Sequence, residues 1–178
     1  MLAKLTHAMG PKILLASAAR AQDGDFRWAL ETIAARKPEH MVEIGTCYGV
    51  MAAVLGLVCE HVTTVDVATY IPARPGSPGG VTAHALVPAV LSVTESENVT
   101  AFLAKNEREK EAFLRASPFD AAFIDGEHEV ASVLSDFELC RKCGFVLFHN
   151  VATHPRVIRA IQQIGDVVTV GNFGLWSQ

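Results

Sequence analysis

Short apolar runs rich in β-branched residues alternate along this chain with segments of helical period. From Asp25 to Arg36 the apolar residues Phe26, Ala29, Leu30 and Ile33 recur at helical spacing, and Pro38 closes the segment. Strands are expected at Met41 to Gly45, His61 to Val67, Val99 to Ala104, Phe119 to Ile124, Phe145 to Phe148 and Val167 to Val170. Helices are expected between them at Tyr48 to Cys59, His84 to Val93, Glu107 to Ala116, Glu129 to Cys143 and Pro155 to Ile164. Gly144 and Gly165 stand where terminating glycines belong. Phe173 to Gln178 supplies a short seventh strand, expected as an antiparallel edge. The Pro- and Gly-rich stretch from Pro72 to Gly80 reads as a loop. Strands apolar on both faces, alternating with helices, are the pattern of a parallel sheet covered on both sides. The expected fold class is therefore α/β, a doubly wound, mostly parallel sheet of about seven strands with helices on both faces.

Bulk properties narrow the field without naming a function. At 178 residues the chain is expected to form one domain, and 50% hydrophobic against 19% charged residues describes a well-filled core. A net charge of −4 offers no basic footprint for nucleic acid. No apolar run reaches the roughly 18 residues of a membrane span. The run from Ile13 to Ala16 is too short and interrupted for the apolar part of a secretory leader, so a cytoplasmic location is expected. The four cysteines (Cys47, Cys59, Cys140, Cys143) fall in expected helices and read as reduced thiols. Cys140 and Cys143 have the spacing of half a zinc or redox site, but no second pair accompanies them.

The stretch Met41-Val42-Glu43-Ile44-Gly45-Thr46-Cys47-Tyr48-Gly49 carries the most chemistry. An apolar strand ends in an acid, a glycine turn follows, and a helix starts at once, as in nucleotide recognition by open α/β sheets. The glycine spacing is not that of a dinucleotide fingerprint, and the Gly-Lys-Ser/Thr of a phosphate loop is missing. Ligands of such sheets lie beyond the carboxyl ends of the strands. Those ends carry Glu43, Asp66, Lys105 and Asn106, the run Asp125-Gly126-Glu127-His128, and His149-Asn150. Asp66 has the place of an acid that accepts from ribose hydroxyls. Asp125, His149 and Asn150 could hold a divalent cation such as Mg²⁺. Alternatively His128 or His149 serves as a metal-free general base, or the cluster is structural. These three readings stay open on the residues alone.

Together these segments resemble the class I S-adenosylmethionine-dependent methyltransferases. Val42-Glu43-Ile44-Gly45-Thr46-Cys47-Tyr48-Gly49 looks like their first motif and Val65-Asp66 like the acidic second. Phe119-Asp120-Ala121-Ala122-Phe123-Ile124-Asp125-Gly126-Glu127-His128 looks like a run found in a small O-methyltransferase-like branch. That branch includes catechol-type, macrocin-type and cephalosporin-hydroxylase-like proteins. The similarity spans roughly Glu39 to Val151. It implies a Rossmann-like core over 39–178 behind an N-terminal helical segment over 1–38. It also implies S-adenosylmethionine as cofactor, with Glu43, Gly45, Thr46 and Gly49 around its methionine part, Asp66 on the ribose, and Lys105 and Asn106 beside the adenine.

Asp125 would be the acid shared by cofactor and metal sites. Relatives usually end the fifth strand in Asp-Asn or His-Asp; His149-Asn150 here supplies one carboxylate fewer. The expected activity is methyl transfer to a hydroxyl of a small-molecule acceptor, with Asp125, His128 and His149 as catalytic candidates and a divalent cation as an optional assistant. No nucleic-acid or membrane partner is expected, and a homodimer is compatible with the reading. The alternative from another class is a cofactor-binding module without catalysis. A nicotinamide-dependent oxidoreductase would share the fold but lacks the glycine fingerprint.

Overall fold

The computed structural model describes residues 24–68 and 83–178. Its elements run α1 (Gly24–Arg36), β1 (His40–Ile44), α2 (Val50–Leu55), β2 (His61–Val67), a short 3-10 turn (Ala83–Leu86) and α3 (Val87–Val93). They continue with β3 (Val99–Ala104), α4 (Glu107–Ala116), β4 (Ala121–Ile124), α5 (Val130–Cys140), β5 (Phe145–His149), α6 (Pro155–Ile164), β6 (Val168–Val170) and β7 (Phe173–Ser177). The segment before Gly24 and the loop from Pro72 to Gly80 lie outside the described residues.

The strands form one seven-stranded sheet in the order β3-β2-β1-β4-β5-β7-β6. Strands β1 to β5 are mutually parallel, while β7 pairs antiparallel with both β5 and β6. The doubly wound, mostly parallel architecture expected from the apolar runs is thus present. One detail differs: β7 is antiparallel but lies inside the sheet, and β6 forms the edge. The two-residue Gly171-Asn172 connection folds β6 back onto β7, with Gly171 at φ 55 as the first central residue of a tight hairpin requires. Phe173 and Leu175 are buried accordingly, whereas Val168 on the short edge strand is exposed.

Side chains alternate between two cores. Val42, Ile44, Ala122, Ile124, Val146 and Phe148 pack with Leu114 of α4, Phe137 of α5 and Val157 of α6 on one face. Met41, Ala121, Phe123, Phe145, Leu147, Phe173 and Leu175 pack with Ile33 of α1 and Leu55 of α2 on the other. Each fully buried Leu, Ile or Phe contributes roughly 1.5–3 kcal/mol. Strand periodicity then places Glu43, Thr64, Asp66 and His149 on the second face, the side of α1 and α2. Asp120, the second residue of the Phe119-to-His128 run, is structural: its carboxylate accepts from the backbone N–H groups of Glu39 and His40, fastening the start of β1 beside β4.

Several local expectations are refined. Pro88 sits in the first turn of α3, where its missing N–H costs nothing, and the residues before it form the 3-10 turn. Helix α5 stops at Cys140 with Arg141 as its C-cap, so Gly144 does not terminate it; the Gly144 N–H instead donates to the Asp120 carbonyl. Of the four cysteines only Cys140 is helical, and none of the four forms a disulfide. On α4 the charged run is not wholly solvated. Lys110 is buried and pairs with the buried Asp136 of α5 at 2.9 Å and with Glu107 at 2.7 Å.

Candidate active site

The Gly45–Gly49 turn shows why glycine is needed there. Gly45 has φ 108, and a Cβ on it would lie 2.3 Å from the Asp125 carbonyl oxygen, so the ends of β1 and β4 approach more closely than any side chain allows. Gly49 has φ 77 and precedes α2, with Val87 of α3 packed against it. Between them the Cys47 N–H donates to Asp66 Oδ2 at 3.3 Å, tying the turn to the end of β2.

Glu43 is fully buried. It pairs in register with Thr64 of β2, whose hydroxyl donates to Glu43 Oε2 and also lies 2.7 Å from the Thr46 hydroxyl. Glu43 Oε1 has no hydrogen-bond partner among the described residues. Burial pushes this carboxyl up from its ordinary 4.5 to about 8; nearby Asp125 and Asp66 push the same way, and the Thr64 bond opposes them. An unpartnered buried oxygen beside a glycine turn makes Glu43 a candidate contact for a ligand. Asp66 accepts from its neighbour's backbone, Val67 N–H, at 2.8 Å and faces the buried His84 Nε2 at 3.1 Å. His84 comes from the 3-10 turn, and nothing in the sequence tied it to Asp66.

Asn106 caps α4, its Oδ1 accepting from the Glu109 N–H at 3.0 Å, while the Lys105 N–H donates to the Glu109 carboxylate at 2.7 Å. Both residues are exposed at the end of β3. Their backbone and cap geometry is thereby explained by helix initiation.

At the ends of β4 and β5 the second cluster assembles. Asp125 Oδ2 lies 3.0 Å from His149 Nδ1, and Asp125 Oδ1 lies 3.5 Å from His128 Nε2, an ion-pair distance longer than a good hydrogen bond. Burial alone would raise the Asp125 carboxyl, but the two imidazoles outweigh it and hold the group below its ordinary value. Asp125 in turn raises the His128 imidazole above 6.5, more than burial lowers it. The His149 ring packs on Phe173 at 4.9 Å, and the His128 ring on His154 at 4.5 Å. Asn150, at φ 63, turns its amide to Thr153 Oγ1 at 3.2 Å. Among the described residues no group of three or more His, Cys, Asp or Glu is placed to hold a metal ion. A cation at Asp125, His149 and Asn150 would have to displace His149 from Asp125 and turn Asn150 from Thr153. These residues as arranged therefore do not fit a preformed cation cage.

Two participants were not legible as site residues. Asn172 reaches His149 Nε2 with its amide Nδ2 at 3.3 Å. The Gly171-Asn172 pair between two β runs was the available signal, since it marks a hairpin whose tip must land beside β5. His154 packs its ring against His128 at a tilt of 41°. The Cys140–Cys143 pair is inert: burial raises both thiols, Cys143 to about 11, so neither presents the thiolate of a redox or zinc site.

Acids and imidazoles gather at the carboxyl ends of β1, β2, β4 and β5, around the switch of strand order between β1 and β4 where ligands of such sheets bind. Residues 42–151 match the methyltransferase-domain family, and the chain belongs to it. Solved structures with the same fold include the O-methyltransferase TomG from Streptomyces achromogenes in complex with SAM. It is 17% identical, with a TM-score of 0.56, over 82% of this chain and 75% of that one. An O-methyltransferase from Bacillus cereus in complex with SAH is 14% identical, with a TM-score of 0.62, over 97% of this chain and 89% of its own. Cofactor-bound Rv0187 from MTB is 21% identical, with a TM-score of 0.63, over 98% and 85% respectively. No curated protein matches the sequence. Among the described residues no helix is long and apolar enough to cross a membrane.

Proposed function

We propose that this methyltransferase uses S-adenosylmethionine to methylate a hydroxyl of a small molecule. The carrying observation is the buried Glu43, whose Oε1 has no partner among the described residues, set beside a Gly45–Gly49 turn that Cys47 N–H ties to Asp66 at the end of β2. Glu43 would accept from the ammonium of the methionine part, with Thr64 and Thr46 holding the carboxylate in place. Gly45, Thr46 and Gly49 would shape the turn around that group. Asp66 would accept from the ribose hydroxyls, Oδ1 being the less occupied oxygen, and Lys105 and Asn106 would border the adenine.

When bound, the cofactor supplies an electrophilic methyl on sulfur. The chain's part is to orient the acceptor hydroxyl in line with that methyl and to take its proton. His128 suits the second task. Asp125 stabilises its imidazolium form, so a proton arriving on the ring is held. Asp125 also orients His149, and the low-lying carboxyl stays ionised throughout. Location in the cytoplasm and a homodimeric assembly belong to the same reading.

Calorimetric titration with S-adenosylmethionine and S-adenosylhomocysteine, with and without Mg²⁺, tests the binding half. Incubation with a panel of phenols and sugars, following S-adenosylhomocysteine release, tests the chemistry. Binding with product and no Mg²⁺ requirement is expected. Tight binding without product from any hydroxyl compound would instead support a cofactor-binding module, and failure to bind either compound would sink both.

A further inference from the structure

We propose that Asn172, at the tip of the β6–β7 hairpin, is a positioning residue that fixes the single proton of His149 on Nδ1. In doing so it withdraws His149 from acid–base work and leaves that role to His128. The inference rests on the proposed methyl-transfer site but concerns a proton position that exists without cofactor or acceptor.

An amide side chain presents an oxygen on one side and a nitrogen on the other, and its neighbours decide which is which. The Ala152 backbone N–H, which only donates, faces the Asn172 side-chain oxygen at 3.2 Å, and the Thr153 hydroxyl donates to the same atom at 2.9 Å. That oxygen is therefore Oδ1, and Nδ2 is the atom 3.3 Å from His149 Nε2. Two donors cannot share a hydrogen bond, so His149 Nε2 carries a lone pair. The proton sits on Nδ1 and is donated to Asp125 Oδ2 at 3.0 Å. Both ring nitrogens are then engaged, and His149 has no free lone pair with which to take a substrate proton.

Asn172 is itself immobilised from three directions. Its backbone N–H donates to Asp25 Oδ2 of α1 at 2.8 Å, and its carbonyl accepts from the Val151 N–H at 3.3 Å. The preceding Gly171 sits so tightly on Asp25 that a Cβ there would lie 2.5 Å from the Asp25 side chain. The hairpin thus holds the amide in one orientation, a device for setting a tautomer through the nitrogen that the ring does not use toward its carboxylate.

Long-range proton–nitrogen correlation spectra of the cofactor-free protein carrying isotope-labelled histidine test this, with the His149 signals assigned by their absence in His149→Gln. At mildly alkaline pH the native protein is expected to show His149 as the neutral Nδ1–H tautomer. In Asn172→Asp, which keeps an oxygen toward Ala152 and Thr153 but places an acceptor against Nε2, His149 is expected to become the doubly protonated imidazolium. Asn172→Asp should leave the affinity for S-adenosylmethionine unchanged, since Asn172 lies at the β5 side of the site. A neutral Nε2–H tautomer in the native protein overturns the proposal, as does an unaltered His149 spectrum in a folded Asn172→Asp variant. The native spectrum decides the proton's position even where that variant does not fold. A negative methyl-transfer assay would leave these spectra readable, so failure of the proposed function and failure of this inference are separable.

Discussion

Glu43 of β1 lies directly across from Thr64 of β2, and the Thr64 hydroxyl donates to one carboxylate oxygen while the other has no partner among the described residues. A buried acid satisfied on one side only is held in its neutral form until something brings a positive charge to it.

Proton linkage follows from that pair. The ordinary value of the Glu43 carboxyl is 4.5 and its folded value about 8, so between them the folded protein binds a proton that the unfolded chain has released. Stability should therefore fall as pH rises through this window, and Glu43→Gln should flatten the slope. Urea unfolding at a series of pH values reads this directly. Binding an ammonium beside Glu43 should also expel its proton. Calorimetry in buffers of different ionisation enthalpy should show proton release with S-adenosylmethionine in the native protein and none in Glu43→Gln.

The Asp125–His128 pair predicts a pH profile. The base must be neutral to accept a proton, and Asp125 raises His128 above 6.5. The acid limb of kcat should therefore sit above that value, and Asp125→Asn should move it downward while reducing the rate. Replacement of His128 by Ala, or of Asp125 by Ala, should cost on the order of a hundred- to ten-thousandfold in kcat with the fold retained by circular dichroism. Full activity in Asp125→Ala would eliminate this mechanism.

Gly45→Ala should be severe. Its Cβ would sit 2.3 Å from the Asp125 carbonyl oxygen at φ 108, so the ends of β1 and β4 must part. Strain plus lost packing should lower stability by about 3 kcal/mol and abolish cofactor binding, as thermal unfolding and calorimetry would show.

The buried Lys110–Asp136 pair joins α4 to α5. Burial raises the Asp136 carboxyl, and Lys110 opposes that shift. Lys110→Met should cost about 3–5 kcal/mol because it strands the carboxylate, and adding Asp136→Leu should recover most of the loss. A double-mutant cycle by chemical denaturation measures this; additive losses would show that the pair is not coupled.

Much of the fold was legible because strand and helix periodicities are local. The five parallel strands lie where the apolar runs end in polar residues, and the glycines at 45 and 49 adopt positive φ values in the turn after β1. The candidate site was legible as a set of strand ends, since a doubly wound sheet delivers those ends to one edge whatever the loops do. What those residues do to one another was not. His84 reaches Asp66, His154 packs against His128, and Lys110 turns inward, through contacts between segments distant in sequence.

The sequence by itself determined the layered sheet, the glycine turn after β1 and the acids and imidazoles at the strand ends, because each depends on a few neighbouring residues. Only the tertiary structure decided that β7 lies inside the sheet, that one Glu43 oxygen meets no partner among the described residues, and that Asn172 closes on His149. Those outcomes depend on which donor meets which acceptor once distant segments pack, and a hydrogen bond between distant segments has no signature in the order of residues along a chain.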